Sequence, residues 1–218
     1  MAEIHIFLII ETVLLFGASL TGFISAITIG ITRDDFHGCP LYGKLEWKNA
    51  THFVIEKFGA SSSCSFCVGV QVIAALYALA FAIYHIYVLV KKENKNIWII
   101  PSLLINAGFT IVIFIQACVV SVGFLQWCNN IEDGELVKHC RDGQSFNWNA
   151  YNPSPRIDGS SFYDNLKTGE STSWFAFLFW AALLAVSIIR RFRDNRIPED
   201  HTAEERKPVL TPSPPVKT

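Results

Sequence analysis

Residues 68–90 read VGVQVIAALYALAFAIYHIYVLV, and this stretch decides the class of the protein. About 20 apolar residues in one helix cross the ~30 Å hydrocarbon layer of a bilayer, because a helix satisfies its own backbone hydrogen bonds there. Three further apolar stretches, at about 4–31, 97–125 and 172–192, also suffice for crossing. The sequence therefore predicts an all-α membrane protein, a bundle of four transmembrane helices within residues 1–193.

The composition of the 218-residue chain agrees with this class. Hydrophobic residues make up 51% and charged residues 17%, whereas soluble domains carry about 25% charged residues. The 18 Lys and Arg against 19 Asp and Glu give a net charge of −1, which lacks the basic footprint of a nucleic-acid-binding protein. The composition also argues against a soluble enzyme of ordinary make-up.

Basic residues predict how the helices cross the membrane. They crowd two segments, the connection after the second span and the end of the fourth span: Lys91, Lys92, Lys95, Arg190, Arg191 and Arg193. The positive-inside rule places both segments, and both termini, in the cytosol. Outer loops 32–67 and 126–171 then face the other side, and Trp127 and Trp174 are expected at the outer membrane boundary. The single acceptor sequon, Asn49-Ala50-Thr51, predicts glycosylation of Asn49 in the first outer loop.

Every cysteine outside the spans falls in these outer loops, which fits an oxidising compartment. We expect disulfides there, because loops of this length bury little apolar core of their own. The simplest pairing joins Cys39 to Cys64 and Cys128 to Cys140, although four cysteines allow three connectivities. The protein is accordingly expected in the plasma membrane or in secretory or endosomal vesicle membranes.

Ionisable residues inside two spans form the candidate site. Glu11 and His85 lie about six and five residues from the cytosolic ends of their spans, so they share a similar depth, with Asn106 nearby. A Glu11–His85 hydrogen bond would satisfy both side chains and fix the helix register. Alternatively, the Glu11, His85 and Asn106 cluster serves a channel or transporter component as a proton- or cation-sensing site.

The stretch Cys64-Ser65-Phe66-Cys67 has the Cys-x-x-Cys spacing of thiol oxidoreductases at the start of a helix. Cys64 has a competing partner in Cys39, so the structural interpretation is favoured, and a membrane thiol oxidoreductase using Cys64 and Cys67 is a second alternative. Phosphate-loop, His-Glu-x-x-His and Gly-x-Ser-x-Gly motifs do not occur. We therefore predict no catalytic residue, metal or cofactor.

Small residues recur at every fourth position on two spans and predict close helix packing. They are Ala18, Gly22, Ala26 and Gly30 on the first span and Ala74, Ala78 and Ala82 on the second. A self-packed bundle explains both stripes. A homo-oligomer or a partner membrane protein held by one stripe is the alternative.

The C-terminal segment 194–218 is polar and proline-rich. Such a composition predicts a disordered cytosolic tail with polyproline II character. Pro212 and Pro215 make a minimal PxxP, which is a weak indication of a docking motif.

Three segments resemble the transmembrane protein 179 family, most closely its B-type members. They are Gly38-Cys39-Pro40-Leu41-Tyr42-Gly43, Ser121-Val122-Gly123-Phe124 with Trp127-Cys128-Asn129, and Phe162-Tyr163-Asp164-Asn165-Leu166. Glu11 also matches an acidic position in that family's first span. The resemblance implies a four-pass protein of secretory or plasma membranes without established enzymatic activity.

The chain departs from this and other four-span families at identifiable points. Cys67 and His85 do not fall on residues of the resembled family, which weakens the redox and proton-sensing alternatives. The Cys-Cys-Gly of tetraspanins and the Gly-Leu-Trp…Cys…Cys of claudins are missing, so we do not expect membership in either family. The favoured prediction is a non-enzymatic scaffold or accessory glycoprotein whose partners are the bilayer, other membrane proteins or a second copy.

Overall fold

The computed structural model describes residues 2–49, 52–91, 99–133, 137–150 and 156–205. Four long helices dominate this part of the chain, and each contains a segment long and apolar enough to cross a membrane. They are α1 (Ala2–Asp35), α2 (Ser61–Lys91), α3 (Ile99–Glu132) and α4 (Phe162–Glu205). The predicted bundle of four membrane-spanning helices is confirmed.

The helices pack unequally around the bundle. Helix α1 lies against both α2 and α4, and α4 also packs on α3, whereas α2 and α3 touch much less. A groove of about 350 Å³ separates α2 from α3. Its lining is apolar: Val70, Ile73, Ile105, Gly108, Phe109 and Val112.

Small residues make the close helix contacts inside the chain. Ala74, Ala78 and Ala82 of α2 are buried in the bundle core, and Gly22 of α1 lies against Ala75 of α2. Because these side chains are small, the helix backbones approach closely enough for dispersion and hydrogen bonding to hold them together. The small-residue stripes therefore support the self-packed bundle that the sequence favoured.

A β-hairpin fills the first outer loop and was not predicted from the sequence. Strand β1 (Cys39–Asn49) pairs antiparallel with strand β2 (His52–Gly59), with Leu45 opposite Ile55 and Trp47 opposite Phe53. Leu45 and Trp47 are partly buried, whereas their neighbours along β1 are exposed. This alternation is typical of a half-buried strand and was a readable signal.

The helices also extend beyond the predicted spans. Helix α2 begins at Ser61 instead of residue 68, α3 ends at Glu132 instead of 125, and α4 begins at Phe162 instead of 172. Hydropathy marks the lipid-embedded part of a helix, but a helix continues into water wherever packing supports it. Part of each predicted outer loop is therefore helical.

At its other end, α4 continues through 194–205, which the sequence analysis assigned to the disordered tail. Extending an existing helix avoids the cost of nucleation, so a polar segment can remain helical there. Lys92 and Lys95 of the second connection, and the PxxP segment with Pro212 and Pro215, lie outside the described residues.

The hairpin, the second outer loop and the adjoining helix ends form one folded unit, here called the cap. Its described residues are 36–49, 52–60, 124–133, 137–150 and 156–166. An apolar core of its own runs through the cap, centred on Trp127, Phe36 and Trp148. The loops bury a larger core than expected, because the long helix ends supply one wall of it.

Candidate functional site

Helix α1 ends in a turn that directs the chain into the cap. His37 adopts a left-handed φ of 51°, its backbone N–H donates to the carbonyl of Asp34 at 3.0 Å, and the N–H of Gly38 donates to Arg33 at 3.2 Å. These two bonds satisfy the last helical carbonyls, as in a Schellman motif. The turn leaves Phe36, which is fully buried, at the centre of the cap core.

Edge-to-face aromatic contacts surround Phe36. Its ring centroid lies 5.0 Å from Trp148, 5.7 Å from Trp127 and 6.2 Å from Phe162. Trp127 and Trp148 are stacked with centroids 6.1 Å apart. A Cβ at Gly43 would lie 2.4 Å from the Trp127 ring, so glycine is required there for β1 to approach α3. All three segments that carry the family resemblance contribute residues to this core.

Trp127 was expected at the outer membrane boundary. In the structure the whole residue is buried in the cap core, on the part of α3 that continues beyond the predicted end of the span at residue 125. Trp174 is only partly buried, and its indole N–H donates to Ser121 at 2.9 Å.

Hydrogen bonds fasten the hairpin to α3. The indole N–H of Trp47 donates to the carbonyl of Asn130 at 3.0 Å, and the Asn130 amide donates to Gly43 at 3.0 Å. The hydroxyl of Tyr42 donates to the carbonyl of Val119 at 3.1 Å. Burial, and next the neighbouring cysteines, raise the pKa of the Tyr42 phenol, so this donor stays protonated at neutral pH. The cap is thus held to the bundle as well as to itself.

Two disulfides close the cap. Cys39 of β1 is bonded to Cys64 of α2, and Cys128 of α3 is bonded to Cys140, the first residue of a short 3-10 helix. This is the simplest of the three pairings. Cys67 is a free, buried thiol. Because the Cys64 sulfur is bonded to Cys39, Cys64 and Cys67 do not form a dithiol in this structure.

Below the cap, buried polar side chains from all four helices meet in one layer, here called the glutamine layer. Its members are Ser25 of α1, Gln71 of α2, Gln116 of α3 and Ser173 of α4, all fully buried. The Gln71 amide donates to the Gln116 carbonyl oxygen at 2.7 Å, and the Gln116 amide donates to Ser173 at 3.2 Å. The hydroxyls of Ser25 and Ser173 lie 2.8 Å apart. This layer was not predicted from the sequence, although one glutamine in each of two apolar spans was a visible signal.

Exchanging Gln116 for leucine is expected to lower the free energy of unfolding by about 1–2 kcal/mol. Leucine has a similar size but leaves the Gln71 amide without its partner in an apolar interior. The loss is measured by denaturant titration of the purified protein in detergent micelles.

The double variant Gln71→Leu, Gln116→Leu is the matched control for this prediction. It removes both partners, and Ser173 keeps its bonds to Ser25 and to the carbonyl of Gly169. We therefore expect it to be less destabilised than the single variant. A double variant as unstable as the sum of the two single variants would contradict the proposed pairing.

Towards the other end of the bundle lies a second set of polar residues, here called the charged layer: Glu11, His85 and Arg190. One Glu11 carboxylate oxygen lies 3.3 Å from the Arg190 guanidinium and 3.9 Å from His85 Nδ1. The structure thus brings Glu11 and His85 together, but 3.9 Å is too long for the predicted hydrogen bond. Arg190 is the nearer partner of Glu11, and the charge on both groups strengthens the hydrogen bond between them. From the sequence, Arg190 indicated only the orientation of the fourth span.

Asn106 does not join Glu11 and His85. Its amide donates to the Ser187 hydroxyl at 3.0 Å, one helical turn before Arg190 on α4. In the described ranges, no three His, Cys, Asp or Glu side chains come together as potential metal ligands. The charged layer is therefore an ion pair between α1 and α4 with an imidazole from α2 beside it.

Roughly four helical turns, about 21 Å, separate the charged layer from the glutamine layer along α1 and α2. The space between the layers is filled by the apolar core of the bundle. Its largest buried members are Trp180, Ile113, Leu183 and Leu15. This region is mainly apolar, although it also holds the buried Ser19 and the Asn106–Ser187 pair, and it separates the two layers.

The comparisons with known proteins agree with this architecture. Residues 7–210 match the model of a family described as the transmembrane protein 179/179B claudin domain. The family resemblance noted from the cap segments is confirmed. Comparison with solved structures gives no match.

Individual relatives cover most of the chain. Transmembrane protein 179B of Mus musculus is 29% identical over 184 residues, which are 83% of this chain and 81% of the relative. The protein of the same name from Homo sapiens is 27% identical with the same coverage. Transmembrane protein 179B of Danio rerio is 25% identical over 195 residues, 87% of this chain and 86% of the relative.

The description of the matching family corrects one expectation, namely that claudin membership is not supported. That expectation depended on a short Gly-Leu-Trp…Cys…Cys pattern. In this chain the first outer loop is instead held by the hairpin, by Cys39–Cys64 and by Trp127 of α3. A short loop pattern was therefore a poor guide to the class of the domain.

Proposed function

The chain belongs to the transmembrane protein 179/179B claudin family, and from this premise we propose that it is a non-enzymatic accessory protein of membranes. In this proposal the four helices anchor the chain, and the cap contacts other membrane proteins on the non-cytosolic side. The finding that carries the proposal is the cap itself, a rigid unit with its own aromatic core and two disulfides.

The outward face of the hairpin supports a role in contacts between proteins. Its exposed side chains carry both signs of charge: Lys44, Glu46, Lys48, Glu56 and Lys57. Their backbone is fixed by strand pairing and by the bonds to α3, so the charges have defined positions. Charges at fixed positions favour specific partners and exclude wrong ones.

A photo-crosslinking amino acid at Lys48, and separately at Lys57, tests this proposal in intact cells. Because both side chains lie on the hairpin, we expect both positions to capture the same membrane protein. The control position is Leu104, which is exposed on α3 within the span, and it is expected to capture lipid. If the hairpin positions capture only the membrane background seen at Leu104, the accessory role is wrong.

We place the cap outside the cytosol because it holds both disulfides, while basic residues end two spans at the opposite end of the bundle. Asn49 is the last residue of strand β1, at the hairpin connection. A glycan at Asn49 is therefore part of the proposal.

The change Asn49→Gln is expected to remove one glycan, because it destroys the acceptor sequon. The variant should migrate faster on a denaturing gel, and enzymatic deglycosylation should abolish the difference. Asn152→Gln is the control, since Asn152-Pro153-Ser154 is blocked by its proline. Equal migration of Asn49→Gln and the parent chain would contradict the prediction.

The charged layer favours one other candidate function, a channel or transporter component. Glu11 and Arg190 place ionisable groups inside spans, which is a common feature of ion pathways. The apolar core between the layers weighs against an open path. Proton- or cation-dependent flux in reconstituted vesicles that Glu11→Gln abolishes would favour this candidate over the accessory role.

A further inference from the structure

We propose that the groove between α2 and α3 holds one hydrocarbon chain of a bilayer phospholipid. The chain takes the place of side-chain packing that the two helices lack along this stretch. This inference is independent of the accessory role proposed for the cap, because it concerns a surface within the spans and makes no use of the hairpin.

The groove lies in the membrane-spanning part of the bundle. Val70 of its lining directly precedes Gln71 of the glutamine layer, and the lining of α3 lies before Gln116 of the same layer, towards the charged layer. All lining residues are apolar and belong to the spans of α2 and α3: Val70, Ile73, Ile105, Gly108, Phe109 and Val112. The groove therefore opens on the hydrocarbon interior of a bilayer.

The rim of the groove continues the surface that the spans present to lipid. Ile73, Ile105 and Val112 are exposed at the rim. Leu104 and Ile111, which adjoin lining residues of α3, are exposed as well. A lipid chain that enters the groove loses no hydrogen bond, because no lining side chain carries a polar atom. The groove is thus a recess in the apolar surface that contacts the bilayer.

The size of the groove fits one hydrocarbon chain. An apolar cavity of about 150 Å³ binds benzene, so a groove of about 350 Å³ has room for roughly 14 carbon atoms. The lining extends about 10 Å along α3, and a second helix about 10–12 Å wide would occupy roughly 800–1,200 Å³ over that length. A helix of a partner protein is therefore too large for the groove, whereas most of one acyl chain is not.

Filling the groove restores contacts that the bundle lacks there. Helices gain nothing from apolar burial inside a bilayer, so their association depends on close packing. Helices α2 and α3 touch little, and atoms that face an empty gap lose their dispersion partners on that side. A chain in the groove contacts both helices at once. It should therefore exchange with the surrounding lipid more slowly than a chain on a flat helix face.

Gly108 offers a direct way to block the groove. In the described part of the chain, a Cβ added at Gly108 would meet nothing within 4 Å. Phenylalanine therefore has room at this position, and its ring takes up about 150 Å³, the space that benzene fills. Gly30 of α1 is the matched control, because a Cβ is equally free there but the residue lies outside the groove.

The test uses the purified full chain in vesicles of phosphatidylcholine, a small fraction of which carries a photoreactive diazirine in the middle of one acyl chain. After illumination, mass spectrometry measures crosslinking along the protein. We expect more crosslinking at residues 105–112 than around Phe175, an exposed residue in the span of α4. Gly108→Phe should abolish this excess, and Gly30→Phe should retain it.

Unfolding in micelles separates a blocked groove from a misfolded chain. Because the ring fills part of the gap itself, Gly108→Phe should unfold at a denaturant concentration no lower than the parent chain. Added phosphatidylcholine should raise the midpoint of the parent more than that of the variant. If the phenylalanine variant is unstable, Gly108→Leu, with its smaller side chain, serves for the same comparison and is expected to reduce the excess.

Three outcomes would overturn the proposal. The first is equal crosslinking at the groove and around Phe175 in the parent chain. The second is an undiminished excess in a folded Gly108→Phe or Gly108→Leu variant. The third is capture of protein instead of lipid by a photo-crosslinking amino acid at Ile105, which would assign the groove to a second copy or to a partner membrane protein.

Discussion

Replacing Trp127 with alanine is expected to lower the free energy of unfolding of the protein by about 4 kcal/mol. Trp127 is fully buried, and its ring contacts Phe36 and Trp148 in the middle of the cap core. Alanine leaves a cavity that the surrounding strands cannot close, because the hairpin is fixed to α3 by hydrogen bonds and to α2 by a disulfide. Denaturant unfolding in micelles, followed by circular dichroism, measures the loss.

Trp174→Ala is the matched control for this change. It removes the same number of atoms from a partly buried tryptophan on α4 whose main polar contact is Ser121. We expect a loss of about 1–2 kcal/mol, because less of the ring is taken out of contact with protein. Limited proteolysis should also cleave the hairpin in the Trp127 variant before it cleaves the control. Equal destabilisation of the two variants would show that the cap does not depend on the Trp127 core.

Removing the Cys39–Cys64 disulfide is the second change with a large expected effect. The bond joins residues 25 apart in sequence, and closing a loop of that length stabilises a folded chain by about 3.5 kcal/mol in the chain-entropy model. The double variant Cys39→Ser, Cys64→Ser should unfold at a correspondingly lower denaturant concentration. Using both changes together leaves no unpaired cysteine from this bond to exchange with Cys67.

Cys118→Ser tests whether cysteine replacement alone is harmful. Cys118 is a free thiol on α3 and only partly buried, so this variant should unfold within about 1 kcal/mol of the parent chain. A reducing agent breaks both disulfides of the parent chain but only Cys128–Cys140 in the Cys39→Ser, Cys64→Ser variant. It should therefore lower the unfolding midpoint of the parent chain more than that of the variant. Parent and double variant unfolding at the same midpoint would contradict the stabilising role.

The spans could be predicted from the sequence because the bilayer imposes one length and one composition on them. The pairing of Cys39 with Cys64 could also be predicted, because four loop cysteines allow only three connectivities and this pairing belongs to the simplest one. The first and last residues of the helices could not be predicted as well. Hydropathy reports where lipid begins, whereas the start of α2 at Ser61 depends on packing in the cap.

The parts that were missed depend on contacts between distant segments. The hairpin had a local signal in the alternation from Gly43 to Lys48, but it was overlooked in a chain dominated by helices. The glutamine layer needs Gln71 and Gln116 at one depth on facing helices, and no spacing along the chain states that. Arg190 joined Glu11 for the same reason, since α1 and α4 are neighbours only in the folded bundle.

The weakly packed side of the bundle gives the hairpin a mechanical role. Helices α2 and α3 touch little and leave an apolar groove between them. Strand β1 packs on α3, and Cys39 binds β1 covalently to α2. The hairpin is thus a tether across the gap, and its disulfide adds to the Gln71–Gln116 bond that joins the two helices directly. Breaking this disulfide would remove the covalent link, so that the Gln71–Gln116 bond and the cap core alone would join α2 to α3 at the cap end.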